Sequence, residues 1–262
     1  MTNPLASRIA GDLYFTERGA GEPLLLLHGL MVTGDMFAPA ADRFARRHRV
    51  IVPDLRGHGH SRGLPGPYTV AQLAFDLARL LDHLAIESTA VLGYSQGGAV
   101  AQQFAVDHPR RCKQLVLACT YACNMSTFRE RLEGHLVPYL MRVLGMRRFA
   151  QLIFAQGLKH SPTVPRDWLV EMMASQDKGL MLKAWKEAMA FDSRPRLAEI
   201  KCPTLIVAAA DDEAVPRHHA AMLHAGIERS QLVVVEKAGH ALIWTDPDAL
   251  VRHAENFFAA MH

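Results

Sequence analysis

Long apolar runs are missing from this chain, and none approaches the length that crosses a bilayer. The N-terminus, MTNPLASRIAGDLYF, lacks the basic start and apolar stretch of a secretory signal, so a cytoplasmic protein with no membrane partner is expected. Cysteine is scarce as well. The four present, Cys112, Cys119, Cys123 and Cys202, make no C-x-x-C pair and no dense framework, which is the usage of free thiols in a reducing compartment. Charge of one sign is also short: 29 Lys and Arg against 26 Asp and Glu leave +3, too little and too dispersed for a nucleic-acid partner. The run Arg46-Arg47-His48-Arg49 reads as a solvated helix end rather than a polyanion site. Histidine is plentiful at 14 residues but scattered. Neither His218-His219 nor the pair His58 and His60 has a third ligand at helical spacing, so no metal and no cofactor are expected. Repeats and low-complexity segments are absent.

What is present is an ordinary globular balance, half hydrophobic and 21% charged over 262 residues, which suits one α/β domain carrying an insertion. Short apolar runs at residues 23–28 (PLLLLH), 49–53, 89–93, 114–119, 204–209 and 231–235 alternate with amphipathic stretches at about 37–47, 69–84, 97–108, 217–224 and 247–260. That alternation is the pattern of βαβ units and a mainly parallel, doubly wound sheet. Continuous rather than alternating hydrophobicity puts cover on both faces of it. Residues 7–10 and 13–17 add an N-terminal hairpin bent at Gly11-Asp12. Thr69 is placed to cap the second helix and Pro247 to open the last.

One interval has no strand candidate. Residues 124–198 are Met-, Leu- and Arg-rich stretches split by Pro138, Gly145, Pro162, Pro165 and Pro195, with room for roughly four helices. The expected organisation is a core of residues 1–123 and 199–262 with a helical cap at 124–198. Phe128, Phe149, Phe154, Trp168, Trp185 and the methionines there either line a pocket or, more simply, pack the cap on the core.

The chemistry concentrates in AVLGYSQGGA. Ser95 sits in G-x-S-x-G between a strand and a helix, where small residues at Gly93 and Gly97 permit a sharp turn that lifts Oγ toward a helix N-terminus. A structural turn explains the glycines alone, but not their placement at the end of a buried strand. A serine hydroxyl needs a base, and the base needs an orienting group. Catalytic groups of open parallel sheets follow the carboxyl ends of strands. His240 follows the last strand; His28 ends an early one, where its backbone matters more than its ring. His58 and His60 are weaker candidates. For the acid, Asp211 and Asp212 both follow the strand TLIVAA, and either one could instead cap the helix ahead of Pro216.

These residues resemble the α/β-hydrolase fold superfamily, and specifically its serine esterase and lactonase-like branch with a helical lid, from about Leu13 to Phe258. The motifs are His28-Gly29, Asp54-Leu55-Arg56-Gly57-His58-Gly59-His60-Ser61, Gly93-Tyr94-Ser95-Gln96-Gly97-Gly98, an aspartate four residues before Pro216, and Gly239-His240 followed by Pro247. The resemblance implies Asp212 as the acid, and an oxyanion hole from the backbone N–H groups of Leu30 and Gln96. Ala209, where relatives often carry glycine, is a departure that leaves this assignment in place. In DLRGHGHS, Arg56 and Asp54 are expected to tie a loop together. Serine rather than aspartate at position 95 argues against alkyl-enzyme chemistry and suits acyl transfer. The expectation is a carboxylic-ester hydrolase of small to medium acyl groups, monomeric or homodimeric. An enol-lactonase, a C–C bond hydrolase of aromatic degradation, a cofactor-free perhydrolase and a non-turnover ligand receptor are the alternatives.

Overall fold

Leu24, Leu25, Leu26 and Leu27 are all fully buried, yet they serve two different cores. In the computed structural model, which describes residues 6–10, 13–158 and 164–260, Leu24 and Leu26 face one side of the sheet and Leu25 and Leu27 the other. The same alternation runs through Val50 and Val52 against Ile51, and through Val116 against Leu115 and Leu117. A strand covered on both faces needs apolar residues at every position, because successive side chains point to opposite sides.

The strands are β1 (Ala6–Ala10), β2 (Leu13–Arg18), β3 (Glu22–Leu27), β4 (His48–Pro53), β5 (Thr89–Tyr94), β6 (Cys112–Ala118), β7 (Thr204–Ala209) and β8 (Ser230–Val235). They form one sheet in the order β1-β2-β4-β3-β5-β6-β7-β8. The first two are antiparallel to their neighbours, and the pairs from β4 to β8 are parallel. The bend expected at Gly11-Asp12 lies outside the described residues, as does Pro162. Because β4 lies on one side of β3 and β5 on the other, the winding reverses at β3. Such a switch point opens a crevice at the carboxyl ends of the strands beside it, here β3 and β5.

Helices cover both faces: α1 (Ala38–Phe44), α2 (Val70–His83), α3 (Gln96–Asp107), α4 (Phe128–Gly157), α5 (Arg166–Ala174), α6 (Lys178–Ala190), α7 (His218–Gly226), the single-turn α8 (Leu242–Thr245) and α9 (Pro247–Ala259). Thr69 caps α2 by accepting from the Gln72 N–H at 3.2 Å, and Pro247 opens α9 as expected. The start of α4 carries a capping box between Thr127 and Glu130. Among the described residues no helix is long and apolar enough to cross a membrane, and all four cysteines are free.

Between β6 and β7 the chain is helical, as its lack of strand candidates implies. Gly145 breaks α4 with φ of 72°, so among the described residues the insertion holds four α-helical rods. Pro138 does not split the helix, contrary to expectation. A helical proline leaves the carbonyl four residues earlier without its N–H donor; Trp185 Nε1–H donates to that carbonyl, Gly134, at 3.0 Å. A side chain of α6 thus mends the ladder of α4. Met141, Met146, Phe149, Phe154, Met172, Met173 and Met181 join the sheet's core on one face. Phe128, by contrast, is 83% exposed.

Candidate active site

β5 ends at Tyr94 and α3 begins at Gln96, leaving a single residue for the turn. Ser95 adopts φ 53° and ψ −122° there, a conformation that costs a non-glycine residue about 1–3 kcal/mol. Two bonds hold it. The Ser95 N–H donates to the Ala118 carbonyl at 3.0 Å, and Thr120 Oγ1 donates to the Ser95 carbonyl at 2.6 Å. The positive φ of this turn therefore belongs to the serine and not to its glycines. Those are needed for close approach: a Cβ on Gly93 would lie 2.4 Å from the Gly97 oxygen, on Gly97 2.0 Å from the Leu27 oxygen, and on Gly98 2.4 Å from Thr120 Oγ1. Thr120 carries no motif signal; its bond to the Ser95 carbonyl and its packing against Gly98 reveal it.

The crevice brings three distant residues together. His240 Nε2 lies 3.1 Å from Ser95 Oγ, and His240 Nδ1 lies 2.9 Å from Asp212 Oδ2. Asp212 is buried and Asp211 exposed, which separates two carboxylates that adjacent positions leave equivalent. Asp212 does not cap the helix after Pro216, whose N-cap is Arg217 with no side-chain cap bond; it closes the loop ahead of that helix. Its Oδ1 accepts from Ala214 N–H at 3.0 Å and Val215 N–H at 2.7 Å, leaving Oδ2 for the imidazole. Burial pulls the His240 pKa down, but the charge of Asp212 and its hydrogen bond outweigh that, and the net shift is upward.

The His28-Gly29-Leu30 loop runs against the serine, since a Cβ on Gly29 would meet Ser95 Cβ at 3.3 Å. Leu30 is half-buried, packed against the larger core. Gln96 supplies the first N–H of α3, one of the donors that a helix cannot satisfy internally. Its side chain is a finding that the sequence does not announce: both amide atoms are buried without a protein partner. His28 corrects the expectation that its ring matters little. Nδ1–H donates to the Gly29 carbonyl at 2.7 Å and Nε2 accepts from the Leu55 N–H at 2.9 Å, tying the loop to DLRGHGHS. Burial lowers its pKa to about 4, so it stays neutral in that bridge. His58 packs edge-on against it at 5.1 Å, and burial lowers its pKa to about 3. His60 is exposed beside Tyr14. Neither is placed against Ser95.

Arg56 does not pair with Asp54. Its guanidinium forks onto Asp76 of α2 at 2.6 and 2.7 Å. Asp54 instead accepts from the N–H groups of Gly34 and His60, each at 2.8 Å. The stretch is structural, as expected, with different partners.

Tyr94 is more than packing. Its hydroxyl donates to the His240 carbonyl at 2.7 Å and accepts from the Ile243 N–H at 3.3 Å, while its ring meets the imidazole at 5.9 Å. One side chain thus joins the strand before the serine to the loop that carries the histidine. Tyr94→Phe leaves a buried carbonyl and N–H unpaired, at a cost of roughly 1–3 kcal/mol each if no water replaces it. The expected result is a lower melting temperature, and kcat reduced by about tenfold (roughly 1.4 kcal/mol) with KM little changed. Steady-state kinetics and thermal melts check both.

The sequence profile of the alpha/beta hydrolase fold family matches residues 22–152 and 163–247. RutD of Azorhizobium caulinodans, named as a candidate carbamate hydrolase, is 30% identical over 94% of this chain and 94% of its own. A poly(3-hydroxyalkanoate) depolymerase of Ectopseudomonas oleovorans is 30% identical over 87% of this chain and 81% of its own. Among solved structures, a thermophilic esterase of Thermogutta terrifontis superposes with a TM-score of 0.84 at 27% identity, covering 95% of this chain and 94% of that one. With a sheet that reverses at β3, a serine at the tip of β5 and a profile match across most of its length, this chain belongs to the α/β-hydrolase fold family and is a hydrolase.

Proposed function

We propose that the protein hydrolyses carboxylic esters of small to medium, uncharged acyl groups through an acyl-enzyme. Ser95 is the nucleophile, His240 the general base and then acid, and Asp212 the group that orients it. The observation that carries this reading is the unbroken line from Ser95 Oγ to His240 Nε2 at 3.1 Å and from His240 Nδ1 to Asp212 Oδ2 at 2.9 Å. The Ser95 Oγ–H proton passes to Nε2 as Oγ bonds to the ester carbonyl carbon. The developing oxyanion meets the backbone N–H groups of Leu30 and Gln96, and the alkoxide leaves with the proton from Nε2. Water then enters by the same route, losing its proton to Nε2 and releasing the acid as Oγ is reprotonated. Residues 124–198 act as the cap, and their methionines and phenylalanines favour an apolar acyl chain.

A panel of p-nitrophenyl esters from acetate to octanoate, with lactones and an N-alkyl carbamate alongside, tests the substrate class. The highest kcat/KM is expected among the shorter esters. The relationship to the Azorhizobium caulinodans protein favours carbamates as the second reading; faster turnover of the carbamate than of every ester would establish that one in its place.

The pH profile has a definite sign. His240 must be neutral to take the serine proton, and its pKa in the folded protein is raised above the ordinary 6.5. The acid limb of kcat/KM is therefore expected to have its midpoint above that value, with activity falling as pH drops through it. A midpoint below 6.5 contradicts the role of Asp212.

A further inference from the structure

His218-His219 opens α7 shortly after the acid loop, and the sequence shows no third ligand because the third comes from the insertion, 89 residues earlier than His219. Glu130 Oε1 lies 3.0 Å from His218 Nε2 and 3.2 Å from His219 Nε2. All three ligand atoms lie within 4.8 Å of one another. Bonds of about 2.0 Å to nitrogen and oxygen in a tetrahedron put neighbouring ligand atoms about 3.3 Å apart, so the two measured edges are close to those of a zinc site. We propose that Glu130, His218 and His219 bind a divalent transition-metal ion of the zinc type, clamping the first turn of α4 to α7.

Three further features fit such an ion. Hydrogen bonds fix the Glu130 carboxylate in place. Its Oε2 accepts from the Ser126 N–H at 2.6 Å, the Ser126 hydroxyl at 2.7 Å and the Thr127 N–H at 3.2 Å, which leaves Oε1 directed at the rings. Ser126 Oγ is also 3.0 Å from His218 Nε2, a fourth donor atom at the edge of the cluster. Access is graded, since the side chains of His219 and Glu130 are 2% and 11% exposed while that of His218 is 39% exposed, opening the fourth position to water. Two imidazole nitrogens with one carboxylate oxygen select zinc-type ions over calcium and magnesium, which prefer all-oxygen shells.

Binding moves each imidazole proton from Nε2 to Nδ1, with no net proton released from neutral rings. His219 Nδ1 has no protein partner. The outer support that tight zinc sites give their histidines is thus missing, and an affinity in the micromolar range is expected rather than nanomolar. Such a clamp ties the insertion to the core next to the loop that holds Asp212, and it stands independently of which bond the enzyme cleaves.

The full chain, without an affinity tag and stripped by a chelator, is titrated with Co2+ while its visible d–d absorption is followed, then competed with Zn2+. The wild type is expected to saturate at one ion per chain with the intense bands of a four-coordinate N/O site. Zn2+ should displace the Co2+ and raise the melting temperature. Glu130→Gln keeps the capping box, in which Gln serves as well as Glu, and His218→Asn alters a half-exposed side chain. Each is expected to weaken binding by about 10- to 100-fold or more and to lose the thermal shift, with ester turnover retained. Absence of saturable Co2+ binding to the wild type up to millimolar metal overturns the proposal. So does undiminished affinity in both folded variants, which would place the ion on other histidines.

Discussion

Ser95→Ala is expected to abolish turnover while leaving the fold intact. In a Ser-His-Asp hydrolase, loss of the nucleophile typically lowers kcat by about 10^6, or roughly 8 kcal/mol of barrier. The residual rate comes from the oxyanion donors and substrate binding alone. Alanine removes only Oγ, and the bonds that hold the elbow, from the Ser95 N–H to the Ala118 carbonyl and from Thr120 to the Ser95 carbonyl, involve backbone atoms at position 95. The melting temperature should therefore barely move. Ser95→Gly separates chemistry from strain further. It is equally inactive, but it occupies φ 53° without the cost a side chain incurs there, so its stability should equal or exceed that of the alanine variant. Retention of more than about a hundredth of wild-type ester turnover in Ser95→Ala would falsify the assignment of the nucleophile, given the expected 10^6-fold loss.

Asp212→Asn is the second large effect, expected at about 10^4 in kcat. The change is nearly isosteric, and an asparagine oxygen still accepts from the Ala214 and Val215 N–H groups that Asp212 Oδ1 now receives. What changes is the partner of His240 Nδ1. An amide NH2 at the position of Oδ2 turns Nδ1 into an acceptor and moves the imidazole proton to Nε2, where it faces Ser95 Oγ and cannot take its proton. The negative charge that offsets burial at His240 is lost as well. Any residual activity should accordingly show an acid limb displaced to lower pH than in the wild type. Asp212→Ala also leaves the Ala214 and Val215 N–H groups without their acceptor, a loss of about 1.5–3 kcal/mol per hydrogen bond to a charged group, and should be both inactive and less stable. Equal kcat in wild type and Asp212→Asn would assign the orienting role elsewhere.

Much of the fold is legible in the sequence because it depends on local chemistry. Runs such as LLLL can be buried on two faces only in a covered sheet, and their alternation with amphipathic stretches implies parallel strands joined by helices. The elbow is legible for a similar reason, as a serine among glycines at the end of such a run has few other uses. The insertion can be read from its lack of strands, yet the continuity of α4 through Pro138 cannot, because it depends on Trp185 reaching the Gly134 carbonyl from 51 residues away.

The site divides along the same line. Ser95, Asp212 and His240 follow from motif order, but Asp211 and Asp212 are chemically identical neighbours until folding buries one of them. Tyr94 and Thr120 carry no signal, since a phenol and a hydroxyl become positioning groups only when a distant loop lies within hydrogen-bond reach. Arg56 pairs with Asp76 rather than Asp54 because α2 brings its carboxylate into the fork of the guanidinium. Glu130 is one charge in an Arg-rich stretch, and only the fold brings its carboxylate, in the first turn of α4, onto two histidines of α7.

By itself, then, the sequence determined the element types, the turn at Ser95 and the order of its partners in the hydrolase motif, because hydrophobic period and backbone sterics act over a few residues. The tertiary structure decided which carboxylate is buried, which ring holds which loop and which histidines share a ligand, because hydrogen bonds and coordination depend on distances of about 3 Å between residues that the chain itself places far apart.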